Sequence, residues 1–219
     1  MTWVFANLDL VASLAVDHLR QSLPPLLYGL VIAIPLGWVA HRHRAVRGPV
    51  LTITGLLFTL PSLALLPLLP VVFGISALSE TNLVLALTIY AVALLVRSAA
   101  DGFDAVDADV RLSATAVGFG PVRRFLRVEL PLAGPVILAG LRVAAASTIS
   151  LATVGILIGV TNLGYLFTNG FQRRLIEEIA AGVLAVALVA LVVDVLLVLA
   201  ERTLMPWARA ERTRGGVRR

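Results

Sequence analysis

Cysteine is absent from this 219-residue chain, and so is lysine. The first absence excludes disulfides, thiolate metal ligands and a cysteine nucleophile. The second excludes a phosphate-binding loop of the Gly-x-x-x-x-Gly-Lys kind. Histidine is limited to His18, His41 and His43, aromatic residues make up 6% of the chain, and charged residues only 14%. The opening stretch MTWVFANLDLVASLAVDHLR has no basic region and carries Asp9 and Asp17, so it does not read as a cleavable signal peptide.

What is present is hydrophobic. With 59% apolar residues and a mean hydropathy of +0.95, the chain has more apolar surface than a soluble core of this size can bury, which makes it an integral membrane protein. Several runs reach the roughly 18 to 20 residues needed to cross about 30 Å of hydrocarbon. They are continuous and do not alternate with period two, which selects helices over a barrel. The net charge of +5 suits topology-setting arginines, and no nucleic-acid partner is expected.

Residues 1–21 have apolar positions at helical spacing with acids between them, and are expected to lie at the lipid interface without crossing. A first span over 23–40 contains Pro24, Pro25 and Pro35 and ends at Arg42, Arg44 and Arg47. Residues 48–78 carry no charge and are interrupted by Pro61, Pro67 and Pro70, which reads as one broken span or as two. Further spans are expected over 83–96, 132–160 and 179–199, with 161–174 as an outer loop. The reading is an all-α membrane protein of about five transmembrane helices, six if 48–78 holds two. Its domains are an interfacial segment 1–21, a membrane domain 22–204 and a basic tail 205–219. Counting arginines puts the N-terminus outside and the C-terminus inside the cell, with Arg173 and Arg174 on the outer side against the rule.

The polar stretch 101–131 stands out between apolar runs. Within it, Leu112, Ala116, Phe119, Val122, Leu126 and Leu130 recur at three- and four-residue spacing. Ser113, Ala114 and Gly118 form a small-residue patch, and Gly118 and Gly120-Pro121 divide the stretch into two short helices. Such a segment is either a solvated connector or a helix built to sit in a partner's groove.

The order Ser113-Ala114, Gly118, then Val128-x-Leu130-Pro131 resembles the EAA loop of ABC importer permeases, with Leu112 where that family usually has Glu. The run Thr59-Leu60-Pro61-Ser62-Leu63-Ala64-Leu65 resembles the TIPSLAL segment of the glycine betaine and osmoprotectant branch. Gly140-Leu141-Arg142 is similar to its GIR, and Thr153-Val154-Gly155 through Leu163-Gly164 to its outer-end segment, with Thr161-Asn162 in place of Gly-Gly. The resemblance covers 48–172 and implies a type I ABC importer permease fold, with no enzymatic activity in this chain. It implies a separate ATP-binding subunit holding ATP and magnesium, a second permease subunit and an extracytoplasmic solute-binding protein, in a bacterial inner membrane. The chain itself is expected to bind no cofactor and no metal. Contact with the ATPase is expected through Leu112, Ser113, Ala114, Gly118, Phe119, Arg123, Arg124, Leu130 and Pro131.

A helix broken at Pro61 frees backbone groups that a membrane tolerates only where protein or water covers them. This nominates Thr59, Pro61 and Ser62 for the translocation path, with Ser147, Thr148 and Thr153 in the fourth span; a kink that only shapes packing is the other reading. Asp194 lies deep in an apolar run and needs a partner. Arg142 is expected at similar depth, so the two are expected to form a buried ion pair, structural or gating. An intramembrane protease would need a Ser-His dyad, paired Asp residues or a metal cluster within the spans. A secondary carrier would need internal repeats or a coupling acid pair. The residues supply none of these. The resemblance of the Thr59–Leu65 run to the osmoprotectant branch implies quaternary-ammonium cargo, such as glycine betaine, carnitine, choline or proline betaine, with an amino acid such as methionine as the alternative.

Overall fold

A computed structural model describes residues 2–207, and every regular element among these is helical. The short α1 (Thr2–Ala6) precedes α2 (Leu8–Arg42), α3 (Arg44–Thr59) and α4 (Ser62–Phe73). Next come α5 (Glu80–Asp104), α6 (Ala108–Ala116) and α7 (Pro121–Arg124), which passes through a π-helical turn at Phe125–Glu129 into α8 (Leu130–Ala152). A 3-10 segment (Thr153–Ile158), α9 (Gly164–Arg173) and α10 (Ile176–Leu204) follow. Helices α2, α5 and α10 and the continuous stretch Pro121–Ile158 are each long and apolar enough to cross a membrane, and α3 with α4 forms a pair bent by 110°. The basic tail expected over 205–219 lies outside the described residues from 208 onward.

Helix α5 is the axis of the fold, because small residues let its neighbours close on it. A Cβ added at Gly29 of α2 would stand 2.6 Å from Ala91 Cβ, and one at Gly37 would stand 2.5 Å from Ala99 Cβ. A Cβ on Gly140 of α8 would meet Ser98 Cβ at 2.3 Å. Close approach of this kind supplies the dispersion that drives helix association where lipid removes the hydrophobic difference. Around the seam, Ala33, Leu95, Val96, Ala144, Ile149 and Val193 form the main core.

The sharp bend between α3 and α4 follows from Pro61. The residue before a proline is pushed out of the helical region, and Leu60 and Pro61 both take extended conformations, with ψ of 132° and 129°. Helix α4, with 12 residues, rises about 18 Å and cannot cross about 30 Å alone. Residues 48–78 therefore do not hold two full spans; the bent pair is a broken span or a re-entrant loop.

Two expectations change. The break between an interfacial segment 1–21 and the first span is absent, because α2 continues from Leu8 through Arg42. Polar residues hold its first half to the body: His18 Nε2 lies 2.9 Å from the Ile149 carbonyl, and Gln21 Nε2 donates to the Thr161 carbonyl at 3.0 Å. The stretch 161–174, expected to be a loop, contains the amphipathic helix α9. Its buried face presents Leu166 and Gly170 to α10, where a Cβ on Gly170 would come within 2.8 Å of Ile179.

Candidate functional site

Helix α6 begins at Asp107, whose side chain accepts from the Asp109 N–H at 2.9 Å. It ends at Ala116, and at Gly118 just beyond, φ of +91° puts the chain in a region that favours glycine. No residue of α6 is buried, and Leu112 is 68% exposed. The helix is nevertheless anchored. Arg111 donates to the Val106 carbonyl at 2.7 Å, fastening α6 to the end of α5, and Thr115 Oγ1 accepts from Arg124 Nη1 at 2.9 Å. A cavity of about 400 Å³ lies behind α6, lined in part by Trp38, Arg42, Arg111, Leu112, Arg124 and Glu129. At the same end, Asp104 accepts from His41 Nδ1 at 2.6 Å and forms an ion pair with Arg47 Nη1 at 2.6 Å, which ties the α2–α3 corner to α5.

The remaining expected docking residues continue this surface. Ser113 is exposed and Ala114 half-buried, and the half-buried Phe119 carries the Arg123 guanidinium 4.7 Å from its ring centroid. Leu130 and Pro131 are half-buried at the start of α8, where the Pro131 carbonyl accepts from Trp207 Nε1 at 3.2 Å.

Two residues at this end were not among the sequence candidates. Glu129, 4% exposed, accepts from Arg124 Nε at 2.7 Å and from Trp38 Nε1 at 2.9 Å. Trp38 packs edge-on against Phe125 with centroids 5.3 Å apart. One signal was available: Glu129 is the only acid between Asp109 and Glu177.

The expected path residues are not gathered in one cavity. Thr59 is exposed and its hydroxyl donates back to the Leu56 carbonyl at 2.7 Å; Thr153 does the same to Ser150 at 2.7 Å. Pro61 is exposed and Ser147 half-buried. Ser62 opens on a crevice of about 10 Å³ with Tyr90, Leu151 and Val154, too small for a solute. Thr148 is a correction: it is fully buried in the core and lines no open surface, because it is packed where α8 meets the rest of the body. At the break itself the Leu60 carbonyl accepts from the Tyr90 hydroxyl, and the Phe58 and Tyr90 rings meet edge-on at 6.2 Å.

Arg142 and Asp194 form a bidentate pair, Nε to Oδ1 at 2.6 Å and Nη2 to Oδ2 at 2.8 Å. The pair is not buried: the two side chains are 37% and 36% exposed. Hydropathy signals depth along a helix but not which face the rest of the chain covers.

A second polar centre that the sequence reading missed surrounds Asn162, the second residue of Thr161-Asn162. Asn162 is fully buried; its amide donates to Gln21 Oε1 and the Ala152 carbonyl, both at 2.8 Å, and its carbonyl accepts from the Gly164 N–H at 2.7 Å. Among the described residues no group of three or more His, Asp or Glu side chains is placed to hold a metal ion.

The chain is thus a multi-spanning helical body with one sharply bent helix pair and an anchored, exposed loop helix. Residues 29–209 match the family described as binding-protein-dependent transport system inner membrane component, and the chain belongs to that family. Its relatives include the choline transport system permease protein OpuBB of Bacillus subtilis, 33% identical over 87% of this chain and 86% of the relative. The osmoprotectant import permease protein OsmW of Salmonella typhimurium is 31% identical over 89% of this chain and 92% of its own. The fold is shared with the inward-facing MetNI methionine ABC transporter, with a TM-score of 0.73 over 91% of this chain and 96% of that one, at 18% identity. The chain is a multi-pass membrane protein with the type I importer permease fold.

Proposed function

We propose that this chain is the transmembrane permease subunit of an ATP-driven importer for quaternary-ammonium osmoprotectants, delivered by a solute-binding protein outside the cell. The observation that carries the substrate class is the set of relatives named for choline, glycine betaine and carnitine, at 29–33% identity over most of this chain. The exposed, anchored helix α6 supports a role in docking a separate ATP-binding subunit, which holds ATP and magnesium. Leu112, Ser113, Ala114, Gly118, Phe119 and the arginines 123 and 124 form the docking face, and its contacts are apolar at Leu112.

The α6 end faces the cytoplasm in this reading, with the N-terminus outside and the C-terminus inside. The open faces of α3 and α4 around Thr59, Pro61 and Ser62 line half of a path that a second permease subunit completes. Phe58, exposed at the break beside the buried Tyr90, offers an aromatic face to a cationic headgroup. Radiolabelled glycine betaine and choline uptake at raised osmolarity, in cells with and without the gene, tests the reading. Uptake that depends on the gene supports it; equal uptake refutes the substrate class. Methionine uptake in the same cells tests the amino-acid reading.

A further inference from the structure

Helix α6 is joined through the chain to α5 on one side and to α7 and α8 on the other. Helix α2 has no such connection: Trp38 lies 77 positions before Thr115. Side chains nevertheless make an unbroken link between them. Thr115 Oγ1 accepts from Arg124 Nη1 at 2.9 Å, Arg124 Nε donates to Glu129 Oε1 at 2.7 Å, and Glu129 Oε2 accepts from Trp38 Nε1 at 2.9 Å. Each oxygen of the buried carboxylate is thereby used, one toward α6 and one toward α2.

The π-helical turn makes this possible. Positions five apart are about 140° apart around an α-helix, which would aim Arg124 and Glu129 in different directions. In the turn at Phe125–Glu129 the Leu130 N–H reaches the Phe125 carbonyl, five residues back, and positions five apart share a face. Such turns are rare and concentrate at functional sites. Phe125, also in the turn, wedges between Trp38 and Phe103, with centroids 5.3 and 5.7 Å away. The Glu129–Trp38 end of the link lies beside these rings, where hydrogen bonds to a charged group are short and strong, while the Thr115 end is exposed.

We propose that Thr115, Arg124, Glu129 and Trp38 form a mechanical link that carries movement of the docked helix α6 directly to α2. Glu129 and Trp38 act in it as positioning residues for transport. The inference rests on the proposed function, since it needs an ATP-binding subunit docked on α6. A purely structural anchor would, when weakened, lower assembly, ATP hydrolysis and transport together. A link that conveys motion, when weakened, lowers the solute moved per ATP hydrolysed.

The test uses the complex purified with its ATP-binding subunit, reconstituted in lipid vesicles with its solute-binding protein and radiolabelled glycine betaine. ATP hydrolysis and uptake are measured in the same vesicles. Trp38→Phe keeps the ring against Phe125 and removes the N–H; Glu129→Gln keeps the shape and removes the charge. The expected result is a fall of about two- to thirtyfold in betaine moved per ATP in each variant. The double variant falls no further than Glu129→Gln alone, because both changes cut one link. His43→Ala, an exposed change at the same end, leaves the ratio unchanged. Should Glu129→Gln fail to assemble, Trp38→Phe decides alone. An unchanged ratio in Trp38→Phe, or hydrolysis and uptake falling in parallel, overturns the link while leaving the proposed function standing. A parent complex without ATP-driven betaine uptake overturns the proposed function and the link with it.

Discussion

Replacing Gly29 by alanine tests the seam on which the fold rests. The added methyl would stand 2.6 Å from Ala91 Cβ and 3.3 Å from the backbone at Ala91 C and Val92 N. Carbon atoms prefer about 3.5–4.0 Å, so α2 and α5 must part by about 1 Å. The seam is long and shared, closing again at Gly37 against Ala99, which puts the cost at the upper end of the roughly 1–3 kcal/mol typical of overpacking. Alanine recovers about 1 kcal/mol of helix propensity. The clash wins, for a net loss of about 2 kcal/mol. Adding Ala91→Gly removes the methyl at 2.6 Å and leaves contacts at 3.3 Å, which small shifts accommodate. In the double variant the propensity changes cancel, one glycine gained and one lost, so stability should return to within about 1 kcal/mol of the parent. Reversible unfolding in mixed detergent micelles with rising dodecyl sulfate, followed by helical circular dichroism, measures all three proteins. Gly29→Ala as stable as the parent, or a double variant no better than the single one, would show that the seam does not limit stability.

Three further outcomes follow from other parts of the molecule. Gly118→Ala meets no neighbour within 4 Å but must hold φ of +91°, at a cost of about 1–2 kcal/mol. Folded yield should hold, while apparent affinity for the ATP-binding subunit, measured by titrating that subunit, falls by about tenfold; undiminished affinity would exclude the elbow from docking. Asn162→Leu strips partners from Gln21 Oε1, the Ala152 carbonyl and the Gly164 N–H, and should destabilise by at least about 3 kcal/mol in the same detergent titration; a change under about 1 kcal/mol would refute that network's weight. Asp194→Asn leaves the Arg142 guanidinium without its counter-charge and should lower the membrane yield of protein. Arg142→Gln with Asp194→Asn restores the yield if the pair is structural, and restored yield with lost betaine uptake assigns it to gating.

Much of the membrane architecture was legible because it rests on local chemistry. Apolar runs long enough to cross a bilayer, the break before Pro61 and the elbow at Gly118-x-Gly120 all follow from residue type and spacing, whatever the rest of the chain does. Helix α9 was misread because its apolar positions are few and interleaved with glycine and polar residues. Its helicity comes from docking on α10, a tertiary contribution that hydropathy does not register. The continuity of α2 was missed for a related reason: acids at Asp9 and Asp17 suggested an interface, while the burial of His18 and Gln21 depends on acceptors about 130 to 140 positions away.

The sequence by itself determined that this chain is a helical membrane protein of about five spans, with a proline-interrupted stretch over 48–78 and a loop helix, because hydrophobic length, proline stereochemistry and glycine placement act within a few residues. The Arg142–Asp194 pairing was also expected from sequence, but the other polar contacts were decided only by the tertiary structure. It placed Trp38 on Glu129, enclosed Thr148 in the core, joined Gln21 to Asn162 and left the Arg142–Asp194 pair half-exposed. A side chain's partner depends on which helix faces converge, and convergence is set by close approach at Gly29, Gly37 and Gly140, between helices distant in sequence.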